Sequence, residues 1–157
     1  MSSTTTAART QFLSFVLAGE EYAVDILRVK EIIEYDSLTR VPAMPPAVRG
    51  VINLRGRVVP VLDLALRFGL PESVITPRSC IVMLELRGED GPIVMGIITD
   101  AVSEVLDLAA DQIQPPPSFG TAVAAEFLDG MAETTNRKFV MLLNIDRALG
   151  TDAFVAA

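Results

Sequence analysis

Two stretches far apart in the chain carry the same unit. Residues 58–69 read Val-Val-Pro-Val-Leu-Asp-Leu-Ala-Leu-Arg-Phe-Gly, and residues 139–150 read Phe-Val-Met-Leu-Leu-Asn-Ile-Asp-Arg-Ala-Leu-Gly. Each is an apolar strand, a capping residue, one helical turn and a stop. Asp63 and Asn144 have side chains that accept hydrogen bonds from the N–H groups opening such a turn, and Gly69 and Gly150 are suited to the left-handed conformation that closes it. A chain that repeats this unit is a candidate for two similar small barrels. Any strand followed by a short helix has the same outline, so the echo alone leaves duplication and chance likeness both open.

The remaining pattern is that of short strands. Residues 11–26 place Phe12, Phe15, Val16, Tyr22 and Val24 on either side of Gly19-Glu20-Glu21, which predicts a hairpin. Residues 26–33 fit alternation and helical spacing equally and are read as a strand passing into a short turn. Pro42, Pro45 and Pro46 leave room for only a brief helical turn before Gly50. Strand-like runs follow at 80–86, 93–99 and 102–108, divided by Gly88-Glu89-Asp90-Gly91 and by Asp100, with further strands at 128–134 and 139–144. Pro115, Pro116 and Pro117 exclude a central strand and predict a surface connector. Short strands at this spacing predict an all-β barrel or sandwich.

Composition narrows the chemistry. The 157 residues fit one domain or two small lobes sharing a core, and half are hydrophobic, which predicts apolar surface kept for a partner. Acids outnumber bases 20 to 13, which argues against nucleic acid, since a phosphate backbone needs a basic face. No apolar run approaches the roughly 18 residues that cross a bilayer, and the polar residues 1–10 read as a flexible tail and not a secretory signal, so a cytoplasmic location with no membrane insertion is expected. The chain has no histidine, so no imidazole base, Ser-His or Cys-His pair, or usual zinc or haem site is available. The single cysteine, Cys80, cannot form an intrachain disulfide and is expected to be a buried strand residue.

Carboxylate groups are the only other candidates for acid–base or metal work: Glu20 with Glu21, Asp25 with Glu31, and Asp100 with Glu104 and Asp107. No nucleophile, phosphate-cradling loop or cofactor fingerprint accompanies them, so a non-enzymatic protein without metal or cofactor is expected. The rival is a small acidic barrel enzyme or metal-binding protein using Asp100, Glu104 and Asp107. Arg55 is the sharper candidate. In Asn53-Leu54-Arg55-Gly56-Arg57, Gly56 supplies a tight reversal and Arg55 projects from the hairpin end, where its guanidinium fork would serve recognition or remain a solvated turn charge. Val29 and Ile32 would either form an aliphatic floor for a helical partner, with Glu31 at its edge, or belong to the core.

The run Val51-Ile-Asn-Leu-Arg-Gly-Arg-Val-Val-Pro-Val-Leu-Asp-Leu64, with Tyr22-Ala-Val-Asp-Ile-Leu-Arg-Val-Lys-Glu-Ile-Ile33 upstream, resembles the chemotaxis coupling proteins, the CheW-like domains that join chemoreceptors to a histidine kinase. The resemblance spans residues 11–150, with 151–157 a C-terminal tail. It implies an all-β fold of two SH3-like five-stranded barrel lobes with a groove between them. It also implies a stand-alone adaptor, since 157 residues leave no room for kinase or receiver domains. By matching position, Val29, Glu31, Ile32 and Arg55 would face the chemoreceptor tip, and Cys80, Gly96 and Val102 the regulatory domain of the kinase. Phe119 is matched to the kinase-facing set as well, at a position used where such domains join kinase regulatory domains in rings. The same role in an array controlling pili or surface behaviour is equally compatible.

Overall fold

The structure is a computed structural model that describes residues 9–88, 90–116, 125–134 and 137–149. The first hairpin is β1 (Arg9–Leu17) and β2 (Glu20–Asp25), and its turn is the pair Ala18 and Gly19, with φ of 51° and 81°. Positive φ at both central residues matches the right-handed twist of the flanking strands. A 3-10 turn (Ile26–Arg28), capped by the Asp25 side chain, leads into β3 (Val29–Glu34). The order expected at 26–33 is therefore reversed: the turn precedes the strand, because the Asp25 carboxylate accepts from Leu27 N (2.9 Å) and nucleates it. Next come β4 (Val48–Leu54), β5 (Arg57–Leu62), α1 (Leu64–Arg67), β6 (Cys80–Gly88), β7 (Gly91–Thr99) and β8 (Ala101–Ala109). A 3-10 turn at Ala110–Gln112 precedes β9 (Ile113–Gln114), another at Ala125–Phe127 precedes β10 (Leu128–Glu133), and β11 (Phe139–Leu143) and α2 (Ile145–Ala148) close the described chain. No helix forms between Pro42 and Gly50; Val48 N donates to Pro45 O in an isolated turn instead.

These strands form two curled sheets, ordered β9-β10-β11-β2-β1-β8 and β3-β6-β7-β5-β4. The fold is mostly β with short helices only, as the sequence pattern predicts. Each sheet contains one parallel pair: β11 beside β2 (Met141 opposite Tyr22, Leu142 opposite Ala23) and β5 beside β7 (Val61 opposite Gly96, Leu62 opposite Ile97). These pairs show how the chain is built. The first repeat, β1 to α1, places its hairpin in the six-stranded sheet and the rest in the five-stranded one. The second repeat, β6 to α2, does the opposite. Two like units have exchanged hairpins.

The echo at 58–69 and 139–150 is part of that duplication. In α1 the Asp63 carboxylate accepts from Ala65 N (3.1 Å), in α2 the Asn144 side chain accepts from Arg147 N (3.1 Å), and Gly69 has φ of 80°. Gly150 lies outside the described residues. The duplication extends to packing: a Cβ on Gly50 would lie 2.7 Å from Thr39 O, and one on Gly130 would lie 2.6 Å from Gln114 O. At both places a second backbone segment, the Thr39–Val51 bridge or β9, crosses a strand where a side chain would stand.

The largest buried cluster draws on both repeats and holds both members of several equivalent positions: Tyr22 and Met95, Val24 and Ile97, Leu62 and Leu143, Leu64 and Ile145, and Phe68 and Leu149. Smaller clusters fill each sheet's own curl. Burial, with the neighbouring Glu20 carboxylate, pushes the Tyr22 hydroxyl up to about 12.

Candidate functional site

β3 and β4 are the two edges of the five-stranded sheet, and its curl brings them toward each other. Burial alternates along β3, with Val29, Glu31 and Ile33 partly covered and Lys30, Ile32 and Glu34 exposed. Across the seam, Arg55 and Gly56 form the two-residue turn joining β4 to β5, with φ of 52° and 84°. Both turn residues are left-handed, and Asn53 Oδ1 braces the turn by accepting from Gly56 N (2.8 Å).

The arginine reaches back over the seam. Arg55 Nη1 donates to Glu31 Oε1 (2.8 Å) and Nη2 to Oε2 (3.2 Å), a fork-to-fork pair. The Glu31 side chain is 28% exposed and that of Arg55 75%, so the guanidinium presents its outer face to solvent. Two residues matched separately from sequence are thus one feature. Val29 packs against the shared core, whereas Ile32 points outward at 42% exposure. The aliphatic floor expected from Val29 and Ile32 is therefore split between two faces of one strand, as strand alternation requires. Exposed Val58 (71%) beside the hairpin and Leu27 (84%) before β3 are apolar surface that the motif reading passed over. A strand run that opens with Val58 directly after Arg57 was the available signal for it.

The other candidates are dispersed. Cys80 opens β6 and is only partly buried, its Sγ 3.6 Å from Arg78 O, which corrects the expected buried thiol; as the first residue of its strand it lies at the end of the curl and not within it. Gly96 is buried in β7, where an added Cβ would meet Ile81 Cγ2 at 2.8 Å. Val102 stands in β8 of the other sheet, opposite Phe15, half-buried against the shared core. Phe119 lies outside the described residues. Asp100 accepts from Ala18 N (2.9 Å) and Asp107 pairs with Arg9 (3.1 Å) further along β8. Among the described residues no three carboxylate or cysteine side chains come together to hold a metal ion, and no helix is long and apolar enough to cross a membrane.

Two further polar arrangements fix the lobes. Asp63, fully buried, accepts from Arg49 Nη1 (2.7 Å), Ser73 N (2.9 Å) and Ser73 Oγ (2.8 Å), tying the 70–79 segment to the start of α1. Arg28, at the crossing between sheets, donates to Glu85 O (2.8 Å) in one and to the Asp146 carboxylate in α2 of the other. Burial acts to raise the Asp146 carboxyl, but hydrogen bonds from Arg28 and from the Arg87 backbone outweigh it and hold it below the usual range. The hydrogen bond to Asp146 correspondingly raises Arg28. Between one end of the six-stranded sheet and the 71–78 segment lies an open groove of about 730 Å³, lined by Val16, Ala18, Pro71, Val74, Arg78 and Asp100 among others. None of the matched residues lines it.

The site is thus a braced surface pair, with exposed apolar residues on the flanking strands. The CheW-like domain profile matches residues 11–153. The chain belongs to the CheW-like domain family. Among relatives, it is 38% identical to "Chemotaxis protein CheW" of Klebsiella aerogenes over 142 residues, covering 90% of this chain and 82% of that protein. It is 30% identical to "Protein FrzA" of Myxococcus xanthus over 141 residues, covering 90% and 86%. The crystal structure of the scaffolding protein TtCheW from Thermoanaerobacter tengcongensis superposes with a TM-score of 0.77 at 34% identity, covering 87% of this chain and 84% of that one. The paired lobes are accordingly those of a CheW-like domain.

Proposed function

We propose that this CheW-like protein is a coupling adaptor of a chemosensory array, working by contact and without catalysis. One edge, formed by the Glu31–Arg55 pair and by β3 with Ile32 on its outward side and Val29 on its inward side, receives the helical tip of a chemoreceptor. A separate surface, to which the matched positions Cys80, Gly96, Val102 and Phe119 are assigned, receives the regulatory domain of a histidine kinase, and further CheW-like domains are partners in rings. The protein acts at the membrane-associated array from the cytoplasmic side. Bias passes between the faces only where binding differs between signalling states.

The observation that carries this reading is the Arg55–Glu31 pair. It is held in a fork across the seam, with Ile32 exposed on the same strand. A preorganised guanidinium beside an aliphatic side chain suits a helix that offers a carboxylate or carbonyl next to an apolar stripe. In pull-downs with purified receptor tip and kinase regulatory domain, Arg55→Ala or Glu31→Ala should weaken receptor capture about tenfold, about 1.4 kcal/mol, while leaving kinase capture within about twofold. Equal loss of both, accompanied by an unfolded circular-dichroism spectrum, would reduce the pair to a structural role.

A further inference from the structure

The exchange of hairpins between repeats has a consequence for association. Neither repeat can complete a sheet alone: β3, β4 and β5 need β6 and β7 from the second repeat, and β8 to β11 need β1 and β2 from the first. The central cluster is likewise shared, with Tyr22, Leu62 and Phe68 of one repeat packed among Met95, Leu143 and Leu149 of the other. Both repeats contribute equivalent residues to this one cluster, so the junction has the two-sided composition of an isologous interface.

The repeats are joined only by the segment between α1 and β6. Phe68 and Leu70 at its start pack into the shared core, and beyond them its hydrogen-bonded fastenings, Ser73 on Asp63 (2.8 Å) and Ser79 O accepting from Tyr35 N (3.1 Å), are to the first repeat. Between them runs 74–78, which forms no regular strand or helix and leaves Val74 75% exposed. Every strand pairing and core contact between repeats would therefore be kept if the second repeat came from another molecule, with only this segment changing path. We infer that a second copy of this chain is a binding partner through reciprocal exchange of repeats, hinged at 74–78.

The competitor is intramolecular closure, whose effective concentration over a short linker is of the order of millimolar. The full-length chain is therefore refolded from denaturant at about 10 µM, far below that value, and at about 1 mM, close to it. Both samples are diluted to one concentration and sized by light scattering. Exchange predicts a dimer with native far-UV circular dichroism, its ratio to monomer rising about tenfold for each tenfold in monomer concentration at refolding. The dimer should persist for hours on dilution, because reversal needs the repeats to unfold from each other. Monomer at every refolding concentration, or a dimer that dissociates within seconds of dilution, overturns the inference. A second measurement uses Leu62→Asp in one chain and Leu143→Asp in another, equivalent buried positions in β5 and β11. Each disables one repeat, and a refolded equimolar mixture should recover several times the native signal of the two refolded apart, because exchange unites the intact repeats. A mixture that recovers only the sum overturns it.

Discussion

Arg55 and Glu31 hold each other from opposite edges of one sheet, yet the pair is too exposed to be a main source of stability. Its removal by Arg55→Ala should cost no more than about 1 kcal/mol in urea unfolding, and less in high salt. Larger losses would mean that the hairpin itself depends on the pair. The arginine could be picked out because Gly56 marks a turn; its own left-handed φ could not, since strand twist decides which turn type forms. Its partner could not be read either, because Glu31 becomes a neighbour only when the sheet curls. Ala18 sits in the same kind of turn at φ 51°, a conformation costly for alanine and tolerated by asparagine. Ala18→Asn should raise the urea midpoint by the equivalent of about 1 kcal/mol, with the slope unchanged.

At the scale of elements, the repeated strand-cap-turn unit is one local design in two environments. Asp63 is fully buried with Arg49 and Ser73 as partners, whereas Asn144 bonds to Asp129 (2.9 Å) at the surface. Asp63→Ala leaves Arg49 only its exposed partner Glu72 (3.1 Å) and releases Ser73 and the 70–79 segment, so a loss of about 2–3 kcal/mol in chemical denaturation is expected. Asn144→Ala forfeits a cap and should cost about 1 kcal/mol. Gly50 and Gly130 make the complementary prediction. With a backbone oxygen at 2.7 Å or 2.6 Å from the added Cβ, Gly50→Ala and Gly130→Ala should each destabilise by about 2–3 kcal/mol, visible as a lowered Tm. Caps and stops were legible because they act within a few residues. The crossing segments that demand glycine were not, being distant in sequence.

At the scale of the molecule, the lobes are joined through the shared core and through Arg28, which bonds to both sheets. Asp146 has its carboxyl held below the ordinary value of 3.8, so the folded state favours its ionised form. The stabilisation is complete above that unfolded value and is lost as pH falls through the depressed one. Asp146→Asn should therefore be less stable than the parent by about 2 kcal/mol at neutral pH, with the gap narrowing in strong acid, as read from urea midpoints at both pH values. Strand runs, caps, turn glycines and the absence of histidine are local or compositional facts, so the all-β class, the repeated unit and the family likeness followed from the sequence by itself. Only the tertiary structure decided that the repeats exchange hairpins, that Val29 turns inward while Ile32 faces out, and that Arg55 meets Glu31. Those outcomes depend on which strands pair and how far each sheet curls, and pairing is settled by burial summed over both repeats, not by any segment of one.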